Sequence, residues 1–314
     1  MSTVIRNNAL SALDARLRFM VLNSRSNIPM ISDSICKTRS TDRAYEIFNS
    51  WVGTGEAAIV GEAQIFPQKE IKQGDGRTVN VQKRGFVINV SREMIEDNLF
   101  DPIADLVGKS MRNSMDQTKE LAAVNLLNLG FTSQTTPDGV SLFNASHVLK
   151  QGGTQTNTAT AAALDLDSLW AGINTMKTTK DDSTLYASIY LPRFLVVPQQ
   201  LERRALELIK SDWVPLISEN QDNVIKNQYP LQVITSPLLT STTAWFLFSS
   251  PSDLVYPSLV NLQREPLSVN ALFNVKGDSE TGVTIDKDVY AWRCRARYAY
   301  DSTHWLGTYG NAGA

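Results

Sequence analysis

Apolar and polar positions alternate with changing period along the chain, and each change marks an element. Residues 7–22, NNALSALDARLRFMVL, place Leu10, Leu13, Leu17, Met20 and Val21 on one stripe with arginines opposite, which predicts an amphipathic helix, lying on its own body or docked on a partner. The polar stretch NSRSNIPMISDS after it reads as extended, and Tyr45, Phe48, Trp51 and Val52 then recur at helical spacing up to Gly53. From Glu56 to Val90 the period shortens to two. One arm alternates Ile59, Gly61, Ala63 and Ile65; the other carries Val79 and Val81, then Phe86, Ile88 and Val90. With Gln73-Gly74-Asp75-Gly76 between them, the arms predict one long hairpin. Its tip is too polar to bury against the chain's own core, and a two-stranded ribbon of this length is marginal alone in water. Either it is mobile, or something outside the subunit holds it, or it is an ordinary solvated hairpin.

The strongest element follows, a helix over about 102–129. Asp101 is placed to cap it, Pro102 fits the first turn and Gly130 supplies the stop. Ile103, Leu106, Val107, Met111, Met115, Leu121, Ala122 and Leu129 trace its apolar stripe, with Arg112, Asp116, Lys119 and Glu120 facing away or flanking. At 1.5 Å per residue the helix would be roughly 40 Å long, a strut rather than a core helix. Residues 131–165 carry almost no period, which predicts a functional or disordered loop, and Asp167 opens a helix that buries Leu169, Trp170, Ile173 and Met176. A compact α/β unit comes next. Ile189–Val197 is an apolar strand, Pro198 begins a helix, and 231–235 and 245–248 are further strands, together a small sheet covered on its faces. In the last long strand Tyr290, Trp292, Cys294, Ala296, Tyr298 and Tyr300 share one face, and Arg293, Arg295 and Arg297 the other. The first set is core, so Cys294 reads as a small buried hydrophobe. The arginine row either pairs with acids on a neighbouring strand or meets an acidic or phosphate-bearing partner.

Composition narrows the function more than the fold. The 314 residues are 42% hydrophobic and 20% charged, with 30 basic and 32 acidic side chains and a formal charge of -2. Broad nucleic-acid binding needs a surplus of Lys and Arg that this balance lacks, although residues 1–50 hold a modest basic excess. No apolar run reaches about 18 residues and no secretory leader pattern opens the chain, so neither a span nor export is expected. Two cysteines and two histidines leave little for a disulfide framework or a metal centre, and a reducing compartment is the default. There is no GxxxxGK[ST], GxGxxG or GxSxG. His147 and His304 read as satisfied histidines, and Asp181-Asp182 as a solvated turn. No catalytic residue, cofactor or metal is expected.

In order along the chain, GFVINVSREMIEDNLFDPIADLVGKSMRNSMDQTKE, DGVSLFNASHVL, LPRFLVVPQQLERRALELI and LQVITSPLLTSTTAWFLFSSP resemble the major capsid proteins of tailed bacteriophages, and among them most the Mu-like major head subunits. The resemblance implies an α+β chain with the HK-ninety-seven fold: an N-arm over 1–55, an extended β-hairpin loop over 56–90, and a spine helix with part of the peripheral domain over 91–185. An α/β axial domain would cover 186–260, and peripheral strands with the C-terminus 261–314. It also implies a structural protein, not an enzyme, whose copies form pentamers and hexamers and close an icosahedral shell around phage DNA. Lys69, Lys72, Arg77, Lys83 and Arg84 of the loop would then touch neighbouring subunits. Expected partners are the chain itself, a separate scaffolding protein, a portal and decoration proteins, with non-specific interior contact to DNA and none to membrane. The place would be the virion, assembled in the bacterial host cytoplasm. Shortening the chain between Lys69 and Lys83 should then impair assembly without unfolding the subunit.

Two other readings remain. A decoration or tail component shares the missing chemistry but would lack the strut beside an α/β unit. A hydrolase would need Asp181, Asp182 or His147 to converge in one pocket.

Overall fold

The computed structural model describes residues 6–24, 30–52, 54–97, 101–150, 152–182, 190–212, 223–254, 256–272 and 288–314, the side chains of 6–10, 96 and 101–103 excepted. The elements of the first half are α1 (Arg6–Asn23), α2 (Ser32–Ile35), β1 (Lys37–Ser40), β2 (Tyr45–Val52), β3 (Lys72–Asn80), β4 (Gln82–Ser91), α3 (Arg92–Glu96) and α4 (Asp101–Asn128). Those of the second half are β5 (His147–Val148), β6 (Thr154–Gln155), α5 (Leu166–Thr178), β7 (Pro192–Pro198), α6 (Glu202–Lys210), α7 (Val224–Gln228), β8 (Gln232–Ser236), β9 (Trp245–Ser249), β10 (Leu259–Ala271), β11 (Val289–Ser302) and β12 (Thr308–Asn311).

Two four-stranded sheets carry the body. The first has the order β1-β10-β11-β4 and the second β12-β9-β7-β8. Alternation along β11 turns Tyr290, Trp292, Cys294, Ala296 and Tyr298 onto α1 and α4, where they form one core with Leu13, Leu17, Val21, Met111 and Met115. Leu13, Leu17 and Val21 of the expected α1 stripe are therefore buried on the chain's own strut and Met20 is half-buried, while the side chain of Leu10 lies outside the described residues. Trp292 donates from Nε1 to Asp14 of α1 at 3.1 Å. The second sheet is apolar on both faces, as its unbroken runs demand. One face meets α5, α6 and α7, the other α2 and the C-terminal half of α4.

α4 thus belongs to two cores: Ala104, Met111 and Met115 in the first, Ala123, Val124, Leu126 and Leu127 in the second. Its 28 residues span about 42 Å. The expected stripe needs correcting, because Leu106, Leu121 and Leu129 are exposed while Asp116 and Glu120 are buried. Two packing partners at different azimuths replace the single apolar stripe. The buried acids are satisfied: Asp116 accepts from Arg112 Nε at 2.6 Å, and Glu120 accepts the backbone N–H groups of Ile31 and Ser32 at 2.6 and 3.3 Å, the start of α2. The expected cap at Asp101 and the side chains of Pro102 and Ile103 lie outside the described residues.

Three further expectations change. Tyr45–Val52 is a strand, not a helix; its β-branched and aromatic content suits a pleated surface, and Phe48, Ser50 and Val52 turn inward. The hairpin is made differently, since β3 pairs antiparallel with β2 (Tyr45↔Asn80, Glu46↔Val79) and not with 56–71, whereas β4 pairs with β11. Gly74 and Gly76 lie inside β3. A Cβ there would stand 2.3 Å from Ser50 Oγ and 2.4 Å from Asn49 Oδ1, so these glycines permit close strand approach at a bulge. Finally, β12 crosses back from the C-terminal end to pair with β9, so the last strand joins the second sheet.

One buried polar side chain organises the far side of the second sheet. Asn223 donates to Leu208 O at 2.6 Å and Ser211 O at 3.1 Å, and accepts from Ile225 N at 3.1 Å, closing the end of α6 and capping α7. Asn223→Ala leaves these groups without partners and should lower the unfolding free energy by about 2 kcal/mol. A urea-midpoint shift too small to resolve would mean that the cap is dispensable.

Candidate functional site

The loop over 131–165, expected to be functional or disordered, is packed. Leu142, Phe143, His147 and Asn157 are buried. The His147 ring stacks on Trp305 with centroids 4.4 Å apart. Its Nδ1 faces Asp138 Oδ2 at 2.5 Å and its Nε2 faces Asn157 Oδ1 at 3.2 Å. The Asn157 orientation is fixed by Asn144 N–H donating to Oδ1 at 2.8 Å and by Nδ2 donating to Leu142 O at 2.7 Å. Burial pushes the Asp138 carboxyl up, but the hydrogen bonds from His147 and Thr136 outweigh it and hold the group below its usual range. Asp182 accepts from Lys150 N–H at 3.2 Å. Both ring nitrogens of His147 are thus occupied, and the cluster knots the loop around Trp305.

His304 is buried, and its Nδ1 accepts from Leu306 N–H at 3.1 Å. Burial holds the imidazole below its ordinary 6.5, against the opposing pull of Asp182 and Asp138. The folded state therefore favours the neutral ring. Its contribution to stability is complete above the ordinary value and declines as pH falls below it toward the folded value. His304→Gln, which can still accept from Leu306, should flatten the decline in urea midpoint between about pH 7 and 5.5; an unchanged slope would place the acid sensitivity elsewhere.

Outside this knot the distinctive surface is the ribbon β2–β3 and the loop joining its strands. The ribbon is not free. Val79 is buried with Val260 and Leu262, Arg77 makes a two-pronged ion pair with Asp301 at 2.9 and 3.0 Å, and Lys150 reaches Asp75 at 2.7 Å. The loop differs: Ile59 is 101% exposed, Ile65 94% and Phe66 77%. Lys69 Nζ donates to Thr54 O, at 2.8 Å, and to Glu56 O, tying the two ends together so that 57–68 form a lobe.

Of the five basic residues expected to touch neighbours, Lys69 is thus turned onto its own loop and Arg77 onto Asp301. Arg84 lies over the Tyr298 ring at 5.3 Å. Lys72 and Lys83 are exposed. Sequence reasoning missed the uncovered apolar lobe, because the period-two pattern of 59–65 looks the same whether or not a strand pairs with it. The arginine row was legible from spacing: Arg295 pairs with Glu265 of β10 at 2.5 Å, the expected cross-strand acid. Among the described residues no cluster of three or more His, Cys, Asp or Glu could hold a metal, and no helix is long and apolar enough to cross a membrane.

A family model described as phage capsid protein matches residues 75–311. No curated protein matches the sequence. Among solved structures, the chain is similar to the capsid of bacteriophage JBD30 (10% identity, 98% of this chain and 73% of that one, TM-score 0.52). It is also similar to the capsid of cyanophage P-SCSP1u (10% identity, 93% and 90%, TM-score 0.58). A third likeness is to a virus-like particle from Pyrococcus furiosus (10% identity, 96% and 98%, TM-score 0.50). At such identities the likeness is one of fold, the mixed α+β architecture built on the long strut.

Proposed function

The chain belongs to the phage capsid protein family, and from that premise we propose how a structural major capsid protein of this form makes its shell. The subunits gather into pentamers and hexamers that close an icosahedral particle around phage DNA, and the chain falls within the Mu-like branch. A separate scaffolding protein guides assembly in the bacterial cytoplasm, a portal and decoration proteins complete the head, and interior charges meet DNA without sequence preference. The protein carries out no catalytic step. The extended loop, the strut with its sheet, and the α/β unit take the roles of extended loop, peripheral domain and axial domain.

The observation that carries this reading is the lobe over 57–68. A subunit that ended at its own surface would not leave three large apolar side chains, Ile59, Ile65 and Phe66, bare within the one lobe over 57–68, and exposure of this kind marks an interaction site. It suits a protein whose core is finished by its neighbours. The test is expression of the full chain, with and without its phage's scaffolding protein, followed by negative-stain electron microscopy. Rings and closed shells are expected; monomers alone at every concentration, with scaffold present, would overturn the reading.

A further inference from the structure

We propose that residues 30–36 are fastened to the strut by a proton-dependent clasp at Glu120, closed while its carboxyl holds a proton and loosened when it ionises. The inference stands on this chain's own interior and does not depend on the shell-forming reading.

Glu120 sits on α4 between the part buried in the first core and the part buried in the second, and it is itself fully buried. It accepts the backbone N–H groups of Ile31 and Ser32. The segment so bound buries Ile31, Ser32, Ile35 and Cys36 and contains α2, a helix of four residues. A helix this short has no stability of its own, so the segment depends on what it rests against. Hydrogen bonds from amides do not cancel a charge. Asp116, one turn earlier, is neutralised by Arg112, whereas among the described residues no lysine or arginine pairs with Glu120. A buried charge without a counter-ion is costly, and a carboxyl so placed tends to keep its proton.

Its neighbours from each element act in the same sense. Asp33 of α2 adds a like charge, while the Tyr300 phenol of β11 and the Cys36 thiol are pushed up by burial and stay neutral. Lys119, next to it on the strut, acts on Cys36. The Ser32 hydroxyl lies close to both Glu120 and Tyr300; it can accept from a protonated carboxyl or donate to a charged one, so it serves either state. The two amide donors favour the charge, but burial prevails and holds the carboxyl above its usual range. A carboxyl raised by folding gives stability that is complete below its ordinary value of 4.5 and is lost as pH rises through the folded value. The loss falls on the motion that brings water to Glu120. The strut cannot supply that motion, since Met115 before it and Ala123, Val124 and Leu127 after it are held in the two cores. Lifting 30–36 is the cheaper opening, so the joint between α1 and β1 is firm in mild acid and looser above it.

Cys36 reports the opening, because its thiol is buried in the same segment, and Cys294, buried in the first core, is an internal control. The full chain is compared with its Glu120→Gln variant, which keeps an acceptor for Ile31 but cannot ionise. Both are labelled with N-ethylmaleimide between about pH 5.5 and 8.5, where a raised carboxyl titrates, and read by peptide mass spectrometry. Intrinsic thiol reactivity cancels in the ratio of the two rates. At Cys36 the unmodified chain should match the variant at the acid end and exceed it by about tenfold or more at the alkaline end, each pH unit being a factor of ten in the proton equilibrium. At Cys294 the ratio should stay near unity. A flat ratio at Cys36 would overturn the proposal, and so would an equal rise at Cys294, which would make the loosening global. Should Glu120→Gln misfold, amide exchange of the unmodified chain decides the matter. Corrected for the intrinsic pH dependence of exchange, protection of 31–36 should fall as pH rises while that of 104–115 holds. Protection that is constant in both segments, or that falls alike in both, would overturn the clasp.

Discussion

Replacing Trp292 with alanine should cost the subunit about 5 kcal/mol, roughly 4 from losing a large buried ring and the rest from removing the indole N–H donor from Asp14, which keeps only its ion pair with Arg18. That is a large share of the 5–15 kcal/mol typical of a domain. The loss is expected to be concentrated at α1, because the hydrogen bond joins residues 278 positions apart and fixes this helix to the sheet. Urea denaturation gives the magnitude, and amide hydrogen exchange over residues 11–24 gives the place. Trp292→Phe should recover most of the packing but not the tether, at a cost of about 1–2 kcal/mol. A loss below about 1 kcal/mol for the alanine variant would show that the first core is not organised around this ring.

The second large effect concerns assembly. Deleting residues 57–68 and bridging Glu56 to Lys69 with two glycines should abolish shells while changing the subunit's unfolding free energy by less than about 1 kcal/mol. The bridge is feasible because Lys69 already hydrogen-bonds to the carbonyls of Thr54 and Glu56, so the loop's ends lie side by side. Stability should hold because Ile59, Ile65 and Phe66 are exposed and contribute to none of the cores. Shells at normal yield would show that the lobe has no part in assembly. This deletion is cleaner than the shortening between Lys69 and Lys83 that the sequence suggests. That segment contains β3 and the Arg77–Asp301 pair, so its loss would disturb the folded body as well.

What could be read from sequence was whatever one local period determined. The faces of β11, the apolar strands β7 and β9, and the length of α4 each follow from spacing alone. The pairing of β3 did not, because Gly74-Asp75-Gly76 has the composition of a turn; only the proximity of Asn49 and Ser50 shows why glycine is needed in the middle of a strand. Asp116 and Glu120 were misplaced for a related reason. A polar residue inside a helix looks solvent-facing until its partners are known, and those partners, Arg112 and the backbone at Ile31 and Ser32, are respectively near and far in sequence. Likewise, the arginine row of β11 was visible in the sequence, whereas the bareness of the lobe was not, since exposure depends on what fails to pack against a segment.

The strut has a consequence for shape. Because a single unbroken helix is embedded at one end in the first core and at the other in the second, the two halves of the subunit cannot tilt against each other without pulling apolar side chains out of one of them. Each subunit is in that sense a stiff tile. A curved surface laid from such tiles takes its curvature at the seams between them, and the same tile can serve flatter and sharper regions by changing only the angle at which its edges join.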